Sequence, residues 1–450
     1  MIPLPPAGDR TRRAKARRVS LSTALLILCA GLPAHADTKL SAMAAMGRDM
    51  FHDPHLSGTG EMSCASCHDP ANHFAPGPGS AVVKGDLGAS EIARGGPGGT
   101  APGFRAVPSL TYRDRTPPFS VGPVSEADEQ GEASPMAVSG NTQAPATGTL
   151  AVATLAPTQA KGADAAANMV PRGGMFWDGR AATLQAQANG PLMAPYEMAN
   201  TDTATLAAHL RTGYGARLSA LFGPQILKDD TLLVAEAEFA LARYQVEDPA
   251  FHPYDSKYDA WLAGKATLTP AEERGRVLFN DPKKGNCADC HIDTADADGR
   301  PPVFTDYEYE ALGVPRNPAI PANADPGWFD LGLCGPMRDD AYAKPRANCG
   351  LFKTPSLRNV ATRGAFFHNG VYHTLPEVVR FYVDRSTDPK LVYGQADPSD
   401  LPKDLRGNLD TVDPPFDRPL GAQPALEESE VRDIVAFLDT LTDGWSPPAP

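Results

Sequence analysis

Two Cys-x-x-Cys-His motifs lie far apart in this chain. They consist of Cys64, Cys67 and His68 in the first case, and of Cys287, Cys290 and His291 in the second. Cysteines three positions apart reach the two vinyl groups of one porphyrin, and the adjoining histidine is then held beneath the iron as its axial ligand. Zinc binding or a dithiol redox pair would leave both histidines unexplained. The two motifs therefore predict two covalently bound haem c groups.

The stretch between the motifs, residues 171–198, is the natural place for groups that belong to neither haem alone. Its candidate functional residues are Trp177, Gln187 and Glu197. The alternative for Trp177 is an ordinary aromatic residue of a hydrophobic core. The alternative for Glu197 is a solvated acid on the surface, which is the usual role of an isolated glutamate.

A helical pattern precedes each haem motif. Apolar residues recur at helical spacing over 41–51 and again over 271–279. The two approaches share Gly-Arg-x-x-Phe-x-Asp-Pro, which indicates an internal repeat. A later amphipathic helix is predicted for each repeat, over 231–244 in the first and over 425–441 in the second.

The paired helices and the haem motifs together predict the fold class. A helix before the motif and a later helix packed across it form a cytochrome c fold. We therefore expect a mainly α protein of two cytochrome c-like domains, 37–250 and 251–450, with long irregular loops. A chain of 450 residues with 42% hydrophobic content is long enough for two cores.

Three stretches are expected to lack regular helices or strands. Residues 75–101 and 121–167 are rich in Ala, Gly, Pro, Ser and Thr, which predicts long loops or partly disordered insertions. Residues 301–355 are also poor in periodic apolar pattern. We expect loops there as well.

The N-terminus resembles a secretory signal peptide. Six basic residues precede an apolar run, 21–32, that is too short to span a membrane, and cleavage is expected after Ala36. The mature protein is then expected to be periplasmic, with a net charge of −18 after loss of six basic residues and one acidic residue from the chain's −13. This charge argues against nucleic acid as a partner. It suits a basic redox protein, or simply keeps the protein soluble.

Cys334 and Cys349 are the cysteines that remain after signal removal and haem attachment. In an oxidising compartment they are predicted to form a disulfide, and two free thiols are the alternative. A loop of about 15 residues closed in this way is stabilised by ~3 kcal/mol through the unfolded state.

Four sequence segments together resemble the bacterial dihaem cytochrome c peroxidase and MauG family. They are the first CxxCH, then FWDGRA, then the second CxxCH, then TPSLRNVATRGAFFHNGVYHTL. The resemblance implies that the N-terminal haem, with His68 as proximal ligand, reacts with peroxide on its open face. It implies that the C-terminal haem, ligated by His291, stores or relays an electron.

The resemblance also assigns roles between the motifs. Trp177 matches the family's tryptophan between the haems, and Gln187, Pro191 and Glu197 match its distal-pocket glutamine, proline and glutamate. Glu197 is then expected to move a proton from the near to the far peroxide oxygen, with Gln187 orienting the peroxide.

Two positions depart from the peroxidases that need reductive activation. Lys84 takes the place of their distal histidine, and His73 nearby is expected on the surface or beside a propionate, so the N-terminal haem should be open. Tyr382 takes the place of the methionine that ligates their second haem, as in MauG. A phenolate favours ferric and higher iron. An ordinary buried helix tyrosine is one alternative, and ligation by Met337, the only later methionine, is another.

The family's calcium site is not expected in this chain. Ala106 stands where the family has an asparagine, and Arg363 and Ala365 stand where it has a threonine and a proline.

The sequence therefore predicts a periplasmic dihaem c-type peroxidase that reduces hydrogen peroxide with electrons from a small cytochrome c or a cupredoxin. The resemblance to MauG implies that both oxidising equivalents are stored as two ferryl haems bridged by Trp177. One alternative is a maturation oxidase that modifies a tryptophan or tyrosine of a partner protein. Another is a dihaem electron carrier without enzymatic activity.

Overall fold

The α-helices pack in two groups, one around each haem motif. The structure, a computed structural model, describes residues 39–85, 88–123, 169–394 and 401–447, without the side chains of 83–85 and 88–90. The expected signal peptide, 1–36, and residues 124–167 of the second expected insertion lie outside these ranges. Helices in the described ranges are α1 Ala42–His52, α2 Leu184–Met193, α3 Thr203–Phe222, α4 Asp230–Glu247, α5 Lys257–Leu262, α6 Pro270–Asn280, α7 Leu375–Asp384, α8 Pro389–Tyr393 and α9 Glu428–Asp439.

The strands are few and short. Those in the described ranges are β1 Val82–Gly85, β2 Gly88–Gly95, β3 Ala101–Ala106, β4 Ser120–Pro123, β5 Met169–Arg172, β6 Tyr309–Glu310 and β7 Phe352–Lys353. They form an antiparallel sheet in the order β1-β2-β3 and two antiparallel pairs, β4 with β5 and β6 with β7. The fold is thus mainly helical with few strands, and no helix in the described ranges is long and apolar enough to cross a membrane.

The internal repeat has a structural reason. A Cβ atom on Gly47 in α1 would lie 1.9 Å from the carbonyl oxygen of Ala240 in α4. A Cβ atom on Gly275 in α6 would lie 1.9 Å from the carbonyl oxygen of Asp433 in α9. Each glycine therefore lets two helices cross in backbone contact, which any side chain would prevent. The four helices predicted from the sequence are α1, α4, α6 and α9.

Two large hydrophobic clusters surround these helix crossings. The first extends from Met46 to Phe251 and the second from Tyr258 to Leu441. The repeated phenylalanine is buried in each of them, as Phe51 at 2% exposure and as Phe279 at 1%. Described residues from Leu40 onward belong to one compact unit by their contacts. The domain boundary expected at residue 250 therefore stays a prediction.

The expectation of loops over 75–101 was wrong in part, because this stretch contains β1 and β2 and leads into β3. This stretch is rich in glycine and alanine, so it does not show the alternation of apolar and polar residues that predicts a strand. The sheet is instead anchored by distant residues, since the amide of Ala106 donates to the carbonyl of His368 at 2.7 Å. Residues 301–355 agree better with expectation, with only β6, β7 and short 3₁₀ turns.

Candidate active site

The first haem motif follows α1 as a 3₁₀ turn, Cys64–Ser66. His68 lines a cavity together with both cysteines. Its Nδ1 lies 3.0 Å from the carbonyl oxygen of Phe74, which leaves Nε2 available to ligate iron. Burial lowers the pKa of His68 to about 4, so the imidazole is neutral, as a ligand must be.

The second haem motif repeats this arrangement. Its 3₁₀ turn is Cys287–Asp289, and His291 lines a second cavity with both of its cysteines. The Nδ1 of His291 lies 3.0 Å from the carbonyl oxygen of Phe304, and burial lowers the pKa of this histidine to about 4. Phe304 has a positive φ of 57°, close to the 54° of Phe74 in the first site. In each site, the backbone carbonyl of a phenylalanine with a positive φ therefore orients the histidine of the haem motif.

Two cations that line the second cavity, one buried and one partly buried, fit a haem. Lys353 is 4% exposed, and its Nζ donates to the carbonyl oxygen of Gly174. Burial, and then the charge of Arg113, lower its pKa to about 7. Burial lowers the pKa of Arg113 itself to about 10, and its Nε donates only to the carbonyl oxygen of Ser109. No carboxylate of the described residues forms an ion pair with either cation, and burying such charges is costly. Haem propionates would supply carboxylates that pair with these two cations.

Trp177 lies between the two cavities and lines both of them. Its Nε1 donates to the carbonyl oxygen of Ala106 at 3.0 Å, and its own carbonyl accepts from the amide of Lys353 at 2.9 Å. The indole is therefore fixed by residues from both halves of the chain. Gln187 also lines both cavities.

The predicted distal residues gather at the first cavity. Gln187 and Pro191 in α2 line it, and so does Glu197 in the segment that follows α2. Burial raises the pKa of Glu197 to about 7, against the opposing charge of Arg180. Gly95 of β2 packs against this segment so closely that a Cβ atom would lie 2.5 Å from the carbonyl oxygen of Glu197. Helix α2 and the small sheet thus hold Glu197 in the cavity that contains His68.

Tyr382 of α7 lines the second cavity, together with His291. Its ring stacks on Phe416 with centroids 5.6 Å apart, and the centroid of Phe367 lies at 6.0 Å. Burial raises the pKa of Tyr382 well above its ordinary value. A phenolate at this position therefore needs a compensating positive charge, which ferric iron supplies.

Met337 is not at the second haem motif, so the alternative of Met337 as ligand to the C-terminal haem was wrong. Its side chain lines the first cavity, where Tyr196 Oη donates to its Sδ at 3.4 Å. Met337 lies in the loop closed by the disulfide between Cys334 and Cys349, which have Cα atoms 4.8 Å apart. This loop belongs to the C-terminal half of the chain but contributes to the N-terminal cavity.

His73 does not contribute to the lining of the first cavity. It is partly exposed at the end of a 3₁₀ turn, and the side chain of Lys84 lies outside the described atoms. The open N-terminal haem thus stays a prediction.

Arg363 occupies one of the positions at which this chain departs from the family's calcium site. The guanidinium of Arg363 donates to the Glu91 carboxylate at 2.6 Å and to the carbonyl oxygens of Val107 and Ala365 at 3.0 and 3.2 Å. Glu91 is 3% exposed and also accepts from the amide of Gly364 at 2.7 Å. An arginine therefore engages the oxygens around this position, and the residues present do not fit calcium.

Sequence reasoning missed several residues of the two cavities. Arg113 and Lys353 were missed because lysine and arginine are usually on the surface. Three carboxylates, Glu310, Asp410 and Asp413, have oxygens within 4.8 Å of one another beside the second cavity, and no local pattern connects them. Burial, and then Asp410, raise the pKa of Glu310 to about 8.

Two cavities, each with a CxxCH histidine and paired cysteines, and one tryptophan between them define a dihaem c-type protein. Residues 41–267 match the model of the di-haem cytochrome c peroxidase family. The chain is 33% identical over 432 residues to the methylamine utilization protein MauG of Paracoccus denitrificans, and the alignment covers 93% of each. The chain therefore belongs to the di-haem cytochrome c peroxidase family and is a peroxidase-type oxidoreductase, and membership implies two haem c groups.

Other relatives extend the comparison. Cytochrome-c peroxidase IdrP1 of Denitromonas iodatirespirans is 27% identical over 434 residues, which cover 91% of this chain and 84% of that protein. The crystal structure of the diheme peroxidase BthA from Burkholderia thailandensis superposes with a TM-score of 0.73 at 36% identity, covering 91% of this chain and 88% of BthA.

Proposed function

We propose that this protein is a periplasmic peroxidase that reduces hydrogen peroxide to water with two electrons from an external redox protein. The observation that carries the proposal is Glu197, a carboxyl group with a pKa near neutrality in the cavity that contains His68. A group with such a pKa both accepts and releases protons near pH 7, as general acid–base catalysis requires.

Glu197 is the proton carrier of the proposed reaction. It takes a proton from one oxygen of hydrogen peroxide and returns it to the other oxygen, which leaves as water when the O–O bond breaks. A second water forms with two electrons and two further protons. Gln187 holds the peroxide through its side-chain amide. The haem iron, when bound, supplies an open coordination position and accepts the electrons delivered from outside.

The second cavity supports the electron relay of the proposal. His291 and Tyr382 are the proposed iron ligands there, and Lys353 and Arg113 are the proposed partners of the propionates. The indole of Trp177, held between both cavities by Ala106, connects the two sites. A tyrosinate ligand stabilises oxidised iron, so both haems can share the oxidising equivalents.

A second candidate function is the oxidation of a tryptophan or tyrosine side chain on a partner protein. The observation in its favour is the similarity to MauG over nearly the whole chain. The third possibility, a simple electron carrier, is disfavoured by a proton-transfer group in the first cavity, because a carrier has no use for it.

Rapid mixing of the diferric protein with hydrogen peroxide tests the proposal. We expect peroxide to be consumed without prior reduction and a small reducing dye to be oxidised in proportion. Near-infrared absorption and electron paramagnetic resonance should show oxidising equivalents shared by both haems. Tyr382→Met, shown first to carry both haems, should have a more positive potential at the C-terminal haem and weaker near-infrared absorption. A wild-type protein that leaves peroxide unconsumed would refute the function, and identical spectra for both proteins would refute the role of Tyr382.

A further inference from the structure

One side of the first cavity is lined by oxidisable and aromatic side chains from three separate segments. Phe104 comes from β3, Tyr196 from the segment after α2, and Met337 from the disulfide-closed loop. The rings of Phe104 and Tyr196 lie 5.8 Å apart between centroids, and Tyr196 Oη donates to Met337 Sδ. None of these contacts is needed for the proposed proton transfer.

Trp328 lies directly behind Phe104. The two ring centroids are 5.3 Å apart in an edge contact of 74°, which is a favourable aromatic geometry. Trp328 does not line the cavity, but its neighbours Pro326 and Gly327 are exposed and its own side chain is partly exposed. A single aromatic ring therefore separates the first cavity from an indole at the surface.

The backbone around Trp328 is fixed rather than loose. Its carbonyl accepts from Arg316 Nη1 at 2.8 Å, and its amide donates to the carbonyl of Asp325 at 3.2 Å. The guanidinium of Arg316 also lies 4.6 Å from the ring centroid of Phe329. The partly exposed indole of Trp328 is thus held in an ordered segment, and an exposed indole suits a neutral aromatic ligand by stacking.

We propose that Trp328 is a surface oxidation site for the N-terminal haem, at which a small phenolic reductant delivers its electrons. Indole is among the most readily oxidised side chains, and Phe104 lies in contact with Trp328 and also lines the cavity. The route involves neither Trp177 nor the C-terminal haem. The inference rests on the proposed function, because hydrogen peroxide is the oxidant.

The electron balance is simple. Trp328 gives one electron to the oxidised N-terminal site, and its Nε1 proton passes to water. A phenol then returns one electron and one proton to the indole and leaves as a phenoxyl radical. Two such cycles supply the two electrons and two protons that convert one hydrogen peroxide into two waters.

Peptide mass spectrometry of the full holoprotein gives a test that does not depend on turnover. After one equivalent of hydrogen peroxide without any donor, we expect oxygen addition divided between Trp328 and Met337, because one peroxide supplies the two oxidising equivalents for one such addition. Trp261 is the matched control, because it is also partly exposed but packs on Tyr258 in the second cluster, with centroids 5.3 Å apart. A guaiacol-type phenol added before the peroxide should protect Trp328.

The kinetics of the variant Trp328→Phe provide a second test of the proposal. This variant keeps an aromatic ring at position 328. Guaiacol oxidation should fall by about tenfold, whereas the reaction of the diferric protein with peroxide should be unchanged. Trp261→Phe should alter neither rate. If peroxide is consumed but Trp328 stays unmodified, or if Trp328→Phe oxidises guaiacol at the wild-type rate, the inference is overturned. If the wild type does not consume peroxide, it is the proposed function that fails.

Discussion

Glu197 shows how much one side chain depends on its surroundings. An isolated glutamate is a surface acid with a pKa near 4, but the first cavity raises the pKa of this one to about 7. The carboxylate is the form that takes a proton from peroxide. The rate of the peroxide reaction should therefore be low in acid, where Glu197 is protonated, and should rise with pH through about 7.

Glu197→Gln should slow the reaction with hydrogen peroxide by about 10²- to 10⁴-fold, the usual contribution of a general acid–base group, and should remove the rise with pH. Stopped-flow mixing over a series of pH values measures both effects. Glu238→Gln is the matched control, because Glu238 is buried and bonded to Asn189 at 2.7 Å but does not line the cavity. A pH profile that persists in Glu197→Gln would assign the proton transfer to another group.

For single residues, the sequence was informative wherever the spacing between them matched the spacing typical of the family. Trp177, Gln187 and Glu197 follow one another at family spacing, and the structure brings all three to the first cavity. Lys353 and Met337 could not be placed in this way. They approach the cavities through contacts with distant residues, such as Gly174 for Lys353 and Tyr196 for Met337.

Among the elements, the four helices around the two haem motifs could be predicted from the sequence and the small sheet could not. Helices α1, α4, α6 and α9 have apolar periodicity of their own, whereas β1, β2 and β3 are held by partners elsewhere in the chain. Arg363 and Glu91 are one such partnership. The ion pair joins β2 to the segment before α7, and its side chains are only 13% and 4% exposed.

The variant Arg363→Thr tests how much this ion pair contributes to stability, because it leaves the buried Glu91 without the guanidinium of Arg363. Removal of one partner from a buried ion pair costs about 3 to 5 kcal/mol, so the variant should melt at a clearly lower temperature. A calcium chelator should not change the melting of the wild type. Added calcium should partly restore the variant, because Glu91 and the carbonyls of Val107 and Ala365 are then free to bind it.

Thermal melts with chelator and with calcium measure these effects. Arg346→Thr is the control, since its ion pair with Asp404 is exposed and should contribute little. If the chelator destabilises the wild type, this protein binds calcium at another position and the arginine does not replace it.

For the molecule as a whole, we predict that all six cysteines of the mature chain form covalent bonds, four to haem and two to each other. Protein purified from the periplasmic fraction should have the mass of residues 37–450 plus two haems, and it should keep both haems in denaturing acid. Alkylation without reduction should label none of its cysteines, because four are thioethers and Cys334 is bonded to Cys349. Intact mass spectrometry tests all three statements. A single haem mass, or a label on Cys334, would contradict the corresponding assignment.

The position of Met337 has a consequence for biogenesis. The disulfide-closed loop is among the later parts of the chain to emerge during synthesis, yet it supplies part of the wall of the first cavity. The wall of the first cavity is therefore incomplete until the C-terminal half of the chain has been synthesised and the loop that contains Met337 has taken its place. A truncated chain that ends before this loop would keep Cys64, Cys67 and His68 but would lack part of the pocket around them.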